Sequence, residues 1–229
     1  MAQVSRVVSV SSQAGCTGRG VRIAIVDTGI HAGHPHLGAI DAGIAFDDAG
    51  EPHHDVVDRL GHGTAVAAAI HEKAPAAALV PVKVFDRRLS TTGRALAAAI
   101  RWAVAQEVAI VNLSLGTTNG EHRQMLADVV AEARSVGTVI VAAAPTQEHA
   151  WLPGALPGVV GVELDWSCPR DSCEVATDDD GVVRLRASGF PRPIPGVPPG
   201  QNLKGQSFAV ANATGLLALA LESGWSPGS

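Results

Sequence analysis

The apolar positions of this chain fall into short runs whose period switches between that of a strand and that of a helix. Residues 22–26, Arg-Ile-Ala-Ile-Val, form a compact and largely β-branched run suited to a strand buried on both faces. Asp27-Thr28-Gly29 breaks it. Residues 61–72 are rich in Ala and read as a helix that Ala74-Pro75 ends. The alternation continues with a strand over 78–84, a helix over 92–106 and a strand over 108–113. A helix over 121–135 stops at Gly137, and strands follow over 138–143 and, past a Pro/Gly turn, 159–162. Segments 174–177 and 182–187 flank Asp178-Asp179-Asp180-Gly181, a hairpin signal, and a last helix covers 207–221. Strands alternating with helices predict an α/β fold of three layers, a mainly parallel central sheet with helices on both faces. A length of 229 residues suits one domain over 1–229 better than two small ones.

In open α/β sheets, sites form at the carboxyl ends of the strands. Three residues with complementary chemistry are aimed there. Asp27 sits just past a strand, and His62 and Ser207 sit at helix starts. A hydroxyl is a poor nucleophile at neutral pH until a base takes its proton. An imidazole can do that, and a carboxylate can hold the imidazole in the right tautomer. Each residue also has an ordinary reading: Ser207 as a helix N-cap, Asp27 as a turn former, His62 as one of nine histidines. The segments around them decide between the two. They read Ile23-Ala24-Ile25-Val26-Asp27-Thr28-Gly29-Ile30, Gly61-His62-Gly63-Thr64 and Gly205-Gln206-Ser207-Phe208-Ala209. A fourth, Val111-Asn112-Leu113-Ser114-Leu115-Gly116, lies between the second and third.

In this order the four segments resemble those of the subtilisin family of serine peptidases. Gln206 and Phe208 depart from that family's Thr and Met. The resemblance implies the subtilisin-like form of the three-layer fold. It implies Ser207 as nucleophile, His62 as general base and then acid, and Asp27 as orienting carboxylate. It also implies that Ser114, Leu115 and Gly116 pair with substrate as an added strand. These three residues and Ala142, Ala143 and Ala144 would line the primary pocket. Counting back from Pro153 puts Trp151 at the pocket floor, where the family carries a small residue. The family's oxyanion Asn is replaced here: by count Thr146 takes its place, with Gln147 beside it. The expectation is that Thr146 or Gln147 gives a weakened second hydrogen bond to the oxyanion, next to the Ser207 backbone N–H. The family's calcium Asp is also missing, since the run is His34-Pro35-His36-Leu37, and the usual Asn-rich loop is skipped by 70–75. The expectation is a compact member of the family without that calcium site, with no other metal and no cofactor.

The remaining bulk properties narrow the picture only a little. The chain is 46% apolar but 3% aromatic, so its core must be built from Ala, Val, Ile and Leu. A net charge of −5 gives no support for nucleic-acid binding, and no apolar run approaches a membrane span. The loop histidines His31, His34, His36, His53 and His54 lack zinc-ligand spacing. The acidic run Asp47, Asp48, Glu51, Asp55 and Asp58 reads as a solvated loop. Residues 191–200, rich in Pro, are expected to shape the cleft near Ser207. The first residues lack a basic start followed by a long apolar stretch, and the expectation is a protein without a signal peptide and without a prodomain before residue 21. With three Cys, this predicts reduced thiols in a cytoplasm, although Cys168 and Cys173 are near enough to pair across a short loop. The expected function is a serine endopeptidase that processes a specific peptide or protein. The alternatives are a weak or inert peptide-binding relative, or an acyl transferase or peptide ligase on the same scaffold. The partner in each case is a peptide or protein. Nothing in the sequence sets the oligomeric state.

Overall fold

The computed structural model describes residues 6–11, 15–177 and 182–225. Among these, ten strands form one sheet. In chain order they are β1 (Arg6–Ser11), β2 (Arg22–Asp27), β3 (Ile44–Phe46), β4 (Pro52–His53), β5 (Ala78–Lys83), β6 (Ile110–Leu113), β7 (Val139–Ala143), β8 (Val159–Leu164), β9 (Ser172–Thr177) and β10 (Val183–Ala187). Their spatial order is β1-β9-β10-β8-β7-β6-β2-β5-β3-β4. The central strands from β10 to β3 are parallel, while β1–β9, β9–β10 and β3–β4 are antiparallel. The expected pairing of β9 with β10 is present, and the turn at 178–181 lies outside the described residues. Strands β1, β3 and β4 were not foreseen from the sequence. β3 is three residues long and β4 is an exposed Pro-His pair, so neither offers a hydrophobic period to read.

Four α-helices cover the two faces: α1 (His62–Lys73), α2 (Gly93–Ala105), α3 (Arg123–Ser135) and α4 (Gln206–Glu222). Strand β2 shows why both faces need covering. Ile23 and Ile25 pack with Val66 and Ile70 of α1 and Leu216 and Leu219 of α4. Ala24 and Val26, pointing the other way, pack with Leu96 and Ile100 of α2 and Leu126 and Val129 of α3. The result is the three-layer α/β arrangement read from the sequence. α4 is apolar all round and buried along most of its length, as a helix between sheet and α1 must be. Gly215 lets the two helices approach: a Cβ there would lie 2.7 Å from the Lys73 Cβ. At the far end of α4 the Glu222 carboxylate accepts from Thr17 N and Gly18 N, both at 2.6 Å, and so anchors the entry to β2.

Candidate active site

Asp27 is the last residue of β2, His62 the first of α1 and Ser207 the second of α4. The sheet and its two covering helices therefore bring them together from 180 residues of chain, 27 to 207. The Asp27 side chain is fully buried and that of His62 is 18% exposed. Their atoms meet with Nδ1 at 2.7 Å from Oδ1 and 3.0 Å from Oδ2. A carboxylate can only accept, so Nδ1 carries the proton and Nε2 is left as the basic nitrogen. Thr28 N donates to Asp27 Oδ1 at 2.7 Å and holds the carboxylate in place.

Glycine is required at two positions of this corner. A Cβ on Gly63 would sit 2.2 Å from the Gly29 carbonyl oxygen. One on Gly29, whose φ is +97°, would sit 2.2 Å from that of Val56. This close approach is what lets the first turn of α1 lie against the end of β2.

Behind the couple stands a residue that sequence reasoning assigned to a solvated loop. Asp58 Oδ1 accepts from Thr28 Oγ1 at 2.8 Å, Leu60 N at 3.0 Å and Gly61 N at 2.8 Å. Its Oδ2 accepts from Thr64 N at 2.9 Å and Thr64 Oγ1 at 2.6 Å. Thr28 Oγ1 in turn accepts from Gly63 N at 2.8 Å. Asp58 thus ties the loop after β2 to the otherwise unpaired N–H groups of α1, on both sides of His62. Burial raises its pKa, but the hydrogen bonds from Thr64, Thr28 and Gly61 outweigh burial and hold it below the usual carboxylate value. For His62, burial lowers the pKa; the Asp27 hydrogen bond and charge, with the Asp58 charge, outweigh it and leave the imidazole above its ordinary value.

This yields a prediction with a definite sign. The base works when neutral, so activity should rise with pH through a midpoint above that of an ordinary histidine. Asp58→Asn removes one negative charge and should move that midpoint to lower pH. It also places an amide NH₂ against donors only, which should cost about 1–3 kcal/mol of stability. A depressed carboxyl stabilises above its unfolded pKa, so this contribution is present at neutral pH and is lost as pH falls through the lower folded value. The pH–rate profile and melting curves of the variant check both. An unmoved midpoint would show that Asp58 does not act on His62.

The nucleophile rests on a second network. Ser207 Oγ donates to the Ser114 carbonyl oxygen at 3.2 Å, and Ser114 Oγ donates to the Ser207 carbonyl oxygen at 3.3 Å. Asn112 Nδ2 donates to Ser114 Oγ at 3.1 Å and Thr214 Oγ1 donates to Asn112 Oδ1 at 2.9 Å; both residues are fully buried. The end of β6 is thereby locked to the first turn of α4. In this resting geometry Ser207 directs its hydroxyl at Ser114 and not at His62. The ring of Phe208, the residue after Ser207, lies 5.9 Å from the imidazole. For His62 to take its proton, the Ser207 hydroxyl must leave the Ser114 carbonyl, and catalytic contacts of this kind commonly tighten only when substrate is bound. Gln206, a departure from the family pattern, anchors the start of α4 by donating to the Val162 carbonyl at 2.7 Å.

Residues 114–116 are half-buried and, among the described residues, pair with no strand, so their edge is open. The chain resumes pairing at Thr117, bridged to Leu152. Trp151 lies beside them: its Cε3 is 3.5 Å from where a Gly116 Cβ would be, and its indole stacks on His149 with centroids 5.5 Å apart. Gly154 packs onto the Ala143 carbonyl, and Ala144 is buried with its N–H donating to the Val162 carbonyl at 2.8 Å. Ala142 needs a correction. Its side chain is 1% exposed and belongs to the core beneath α2 and α3, so only its backbone is available to a cleft. Thr146 and Gln147 sit in an exposed turn. Thr146 N donates to the His149 carbonyl at 2.8 Å and Thr146 Oγ1 accepts from His149 N at 3.1 Å. Among the hydrogen bonds of the described residues, neither side chain reaches Ser207. The first N–H groups of α4 have no intrahelical partner, and that of Ser207 is the donor nearest the nucleophile.

The position at which the family carries a calcium carboxylate does not suit that ion. His36 stands there, and its carbonyl oxygen accepts from the Arg192 guanidinium at 2.8 Å. A cation already occupies that oxygen, and an imidazole offers no hard oxygen ligand. Cys168 and Cys173 are separate thiols; Cys168 Sγ donates to the Ser172 carbonyl at 3.4 Å, and burial pushes the Cys173 thiol up to about 12.

A model of the subtilase family matches residues 18–159. The chain belongs to the subtilase family. The thermostable alkaline protease of Halalkalibacterium halodurans is 40% identical over 139 residues, covering 57% of this chain and 37% of that protein. Among solved structures, a mutant of the protease domain of PatA superposes with a TM-score of 0.64 at 26% identity, covering 94% of this chain and 86% of that one. The prenylagaramide maturation protease PagA gives 0.62 at 25% identity, covering 90% of this chain and 78% of that one. The segment carrying Ser207 lies beyond the residues matched by the family model and is placed by the fold. The alkaline protease is matched over about a third of its length, the two protease structures over most of theirs. Members of this family are serine peptidases that act on peptides and proteins, and no helix among the described residues is long and apolar enough to cross a membrane.

Proposed function

We propose that this subtilase is a serine endopeptidase that processes a specific peptide or protein precursor inside the cell, as a single domain. The observation that carries the reading is the buried Asp27 carboxylate on His62 Nδ1, beside a serine at the start of α4. Ser207 Oγ attacks the scissile carbonyl carbon while His62 Nε2 takes its proton. The oxyanion is met by the Ser207 N–H and a second donor, for which Thr146 and Gln147 are the candidates. His62 then gives the proton to the departing amine, the C–N bond breaks, and water, activated by the same imidazole, hydrolyses the acyl-enzyme. The name of PagA, a maturation protease of similar fold, supports a processing role. Unpaired thiols at Cys168 and Cys173 support a reducing compartment.

Trp151 supports a narrow primary pocket. With the indole against Gly116, little room remains for a large side chain before the scissile bond. Substrates with Gly, Ala or Ser at that residue should exceed those with Leu or Phe by about tenfold or more in kcat/KM. Trp151→Gly should broaden the range. A peptide series differing only at that residue tests the reading. Efficient cleavage after Phe by the wild type, or no broadening in the variant, would contradict it.

A further inference from the structure

The long loop over 191–203 crosses the first turn of α1 and leaves a groove of about 530 Å³ beside His62. One wall carries His31, His34 and His36 from the loop after β2; another carries Arg192 and Leu203; Gly61, immediately before His62, closes the end. None of 114–116, 142–144 or Trp151 lines it, so it is not part of the acyl side of the cleft. Its lining reaches Gly61 and Thr64, which flank His62 and Gly63 at the start of α1. A leaving segment that passes His62 on the side away from 114–116 would enter it.

Its lining carries one guanidinium, three imidazoles and one carboxylate. Arg192 is half-buried and oriented, because its Nη1 donates to the His36 carbonyl at 2.8 Å. Among the described residues, no carboxylate forms an ion pair with it. A guanidinium held by one N–H has its other donors ready in a fixed fork that matches a carboxylate. Three imidazoles share the lining, and His34 and His36 stand edge to face with centroids 5.1 Å apart. The one carboxylate in the lining, Asp58, keeps its charge, but its oxygens are taken up by donors from Thr28, Leu60, Gly61 and Thr64, and it makes no ion pair with Arg192. Glu72 beneath is paired with Arg170 and Lys73. Around this positive centre, Ile194 and Leu203 are 44% and 50% exposed, an apolar rim for the neighbouring residues of an extended chain.

We propose that the groove binds the segment on the leaving side of the scissile bond and selects an acidic side chain there, with the Arg192 guanidinium as its partner. This rests on the peptidase reading for its place in the reaction, but the binding it describes can be measured without turnover. The Pro-rich loop then has a function: it carries the specificity-determining Arg to a groove that begins at Gly61, the residue before the catalytic imidazole.

The test uses quenched fluorescent peptides that are identical except for Glu, Gln or Lys at each of the first few residues after the cleaved bond. Wild type should favour Glu over Gln by about tenfold in kcat/KM at one of these positions, as expected for one charge-assisted contact, and should disfavour Lys. Arg192→Gln should bring the Glu/Gln ratio to about one, and Arg192→Lys should keep part of it. The same peptides are also titrated against the non-cleaving Ser207→Ala protein, where Glu should again bind more tightly than Gln. Equal handling of Glu and Gln by the wild type overturns the proposal, as does a preference that survives in folded Arg192→Gln. If no peptide is cleaved and Ser207 resists an active-site label, the peptidase reading fails alone. The Glu/Gln binding ratio of the Ser207→Ala protein then still decides the groove.

Discussion

Ser207→Ala should lose at least ~10³ of the peptidase activity while the protein stays folded, a magnitude carried over from subtilisin, where nucleophile and base act as a unit. The structure supports the second half of that statement. Ser207 Oγ makes one hydrogen bond, to the Ser114 carbonyl, and lies in the first turn of a helix, where Ala is well tolerated. Its loss should cost about 1 kcal/mol. The Asn112–Thr214 link between β6 and α4 remains in the variant. Hydrolysis of any cleaved peptide, measured beside a melting curve, separates loss of chemistry from loss of fold. Near-native turnover in a folded variant would place the nucleophile elsewhere.

Asp27→Asn should be costlier still per atom changed, at ~10⁴ in kcat/KM, the scale known for the corresponding change in serine peptidases of another fold. The cause is tautomeric. Asp27 Oδ1 accepts from both Thr28 N and His62 Nδ1, and Oδ2 is 3.0 Å from the same nitrogen. Thr28 N keeps Oδ1 an oxygen, so the NH₂ takes the place of Oδ2, 3.0 Å from Nδ1. An NH₂ there favours the tautomer in which Nδ1 accepts and Nε2 carries the proton, and in that tautomer the nitrogen facing the nucleophile can no longer take one. Removing the carboxylate also removes its hydrogen bond and its charge, the leading causes that raise the His62 pKa against burial. The acid limb of the residual activity should therefore move to lower pH. A variant within tenfold of wild type would mean that Asp27 does not set the tautomer.

How far the sequence carried the account depends on how local each feature is. β2 and the start of α1 were legible because the apolar run at 22–26 and the Gly-His-Gly-Thr turn hold their information in a few adjacent residues. The layered fold was legible because strand and helix periods alternate. Asp58 was not legible, since its five donors come from 28, 60, 61 and 64 and its role exists only once β2 and α1 meet. Arg192 lay in a Pro-rich stretch with no period at all, and only its contact with His36 reveals where it points. The family resemblance puts Ala142 in the primary pocket, but the strand's alternation turns its side chain to the core under α2 and α3. The oxyanion loop stayed ambiguous for a related reason. Thr146 is engaged with His149 in an exposed turn, and a one-residue offset in such a turn changes which side chain faces the cleft.

The central claim is that Ser207 is activated by the Asp27–His62 couple. Labelling of the folded wild-type protein with a fluorophosphonate, followed by mass spectrometry of its peptides, tests it most directly. The expected result is one phosphonyl group on the peptide containing Ser207, absent from Ser207→Ala and much slower to form in Asp27→Asn. A folded wild-type protein that takes up no label, or takes it up at another residue, would contradict the account.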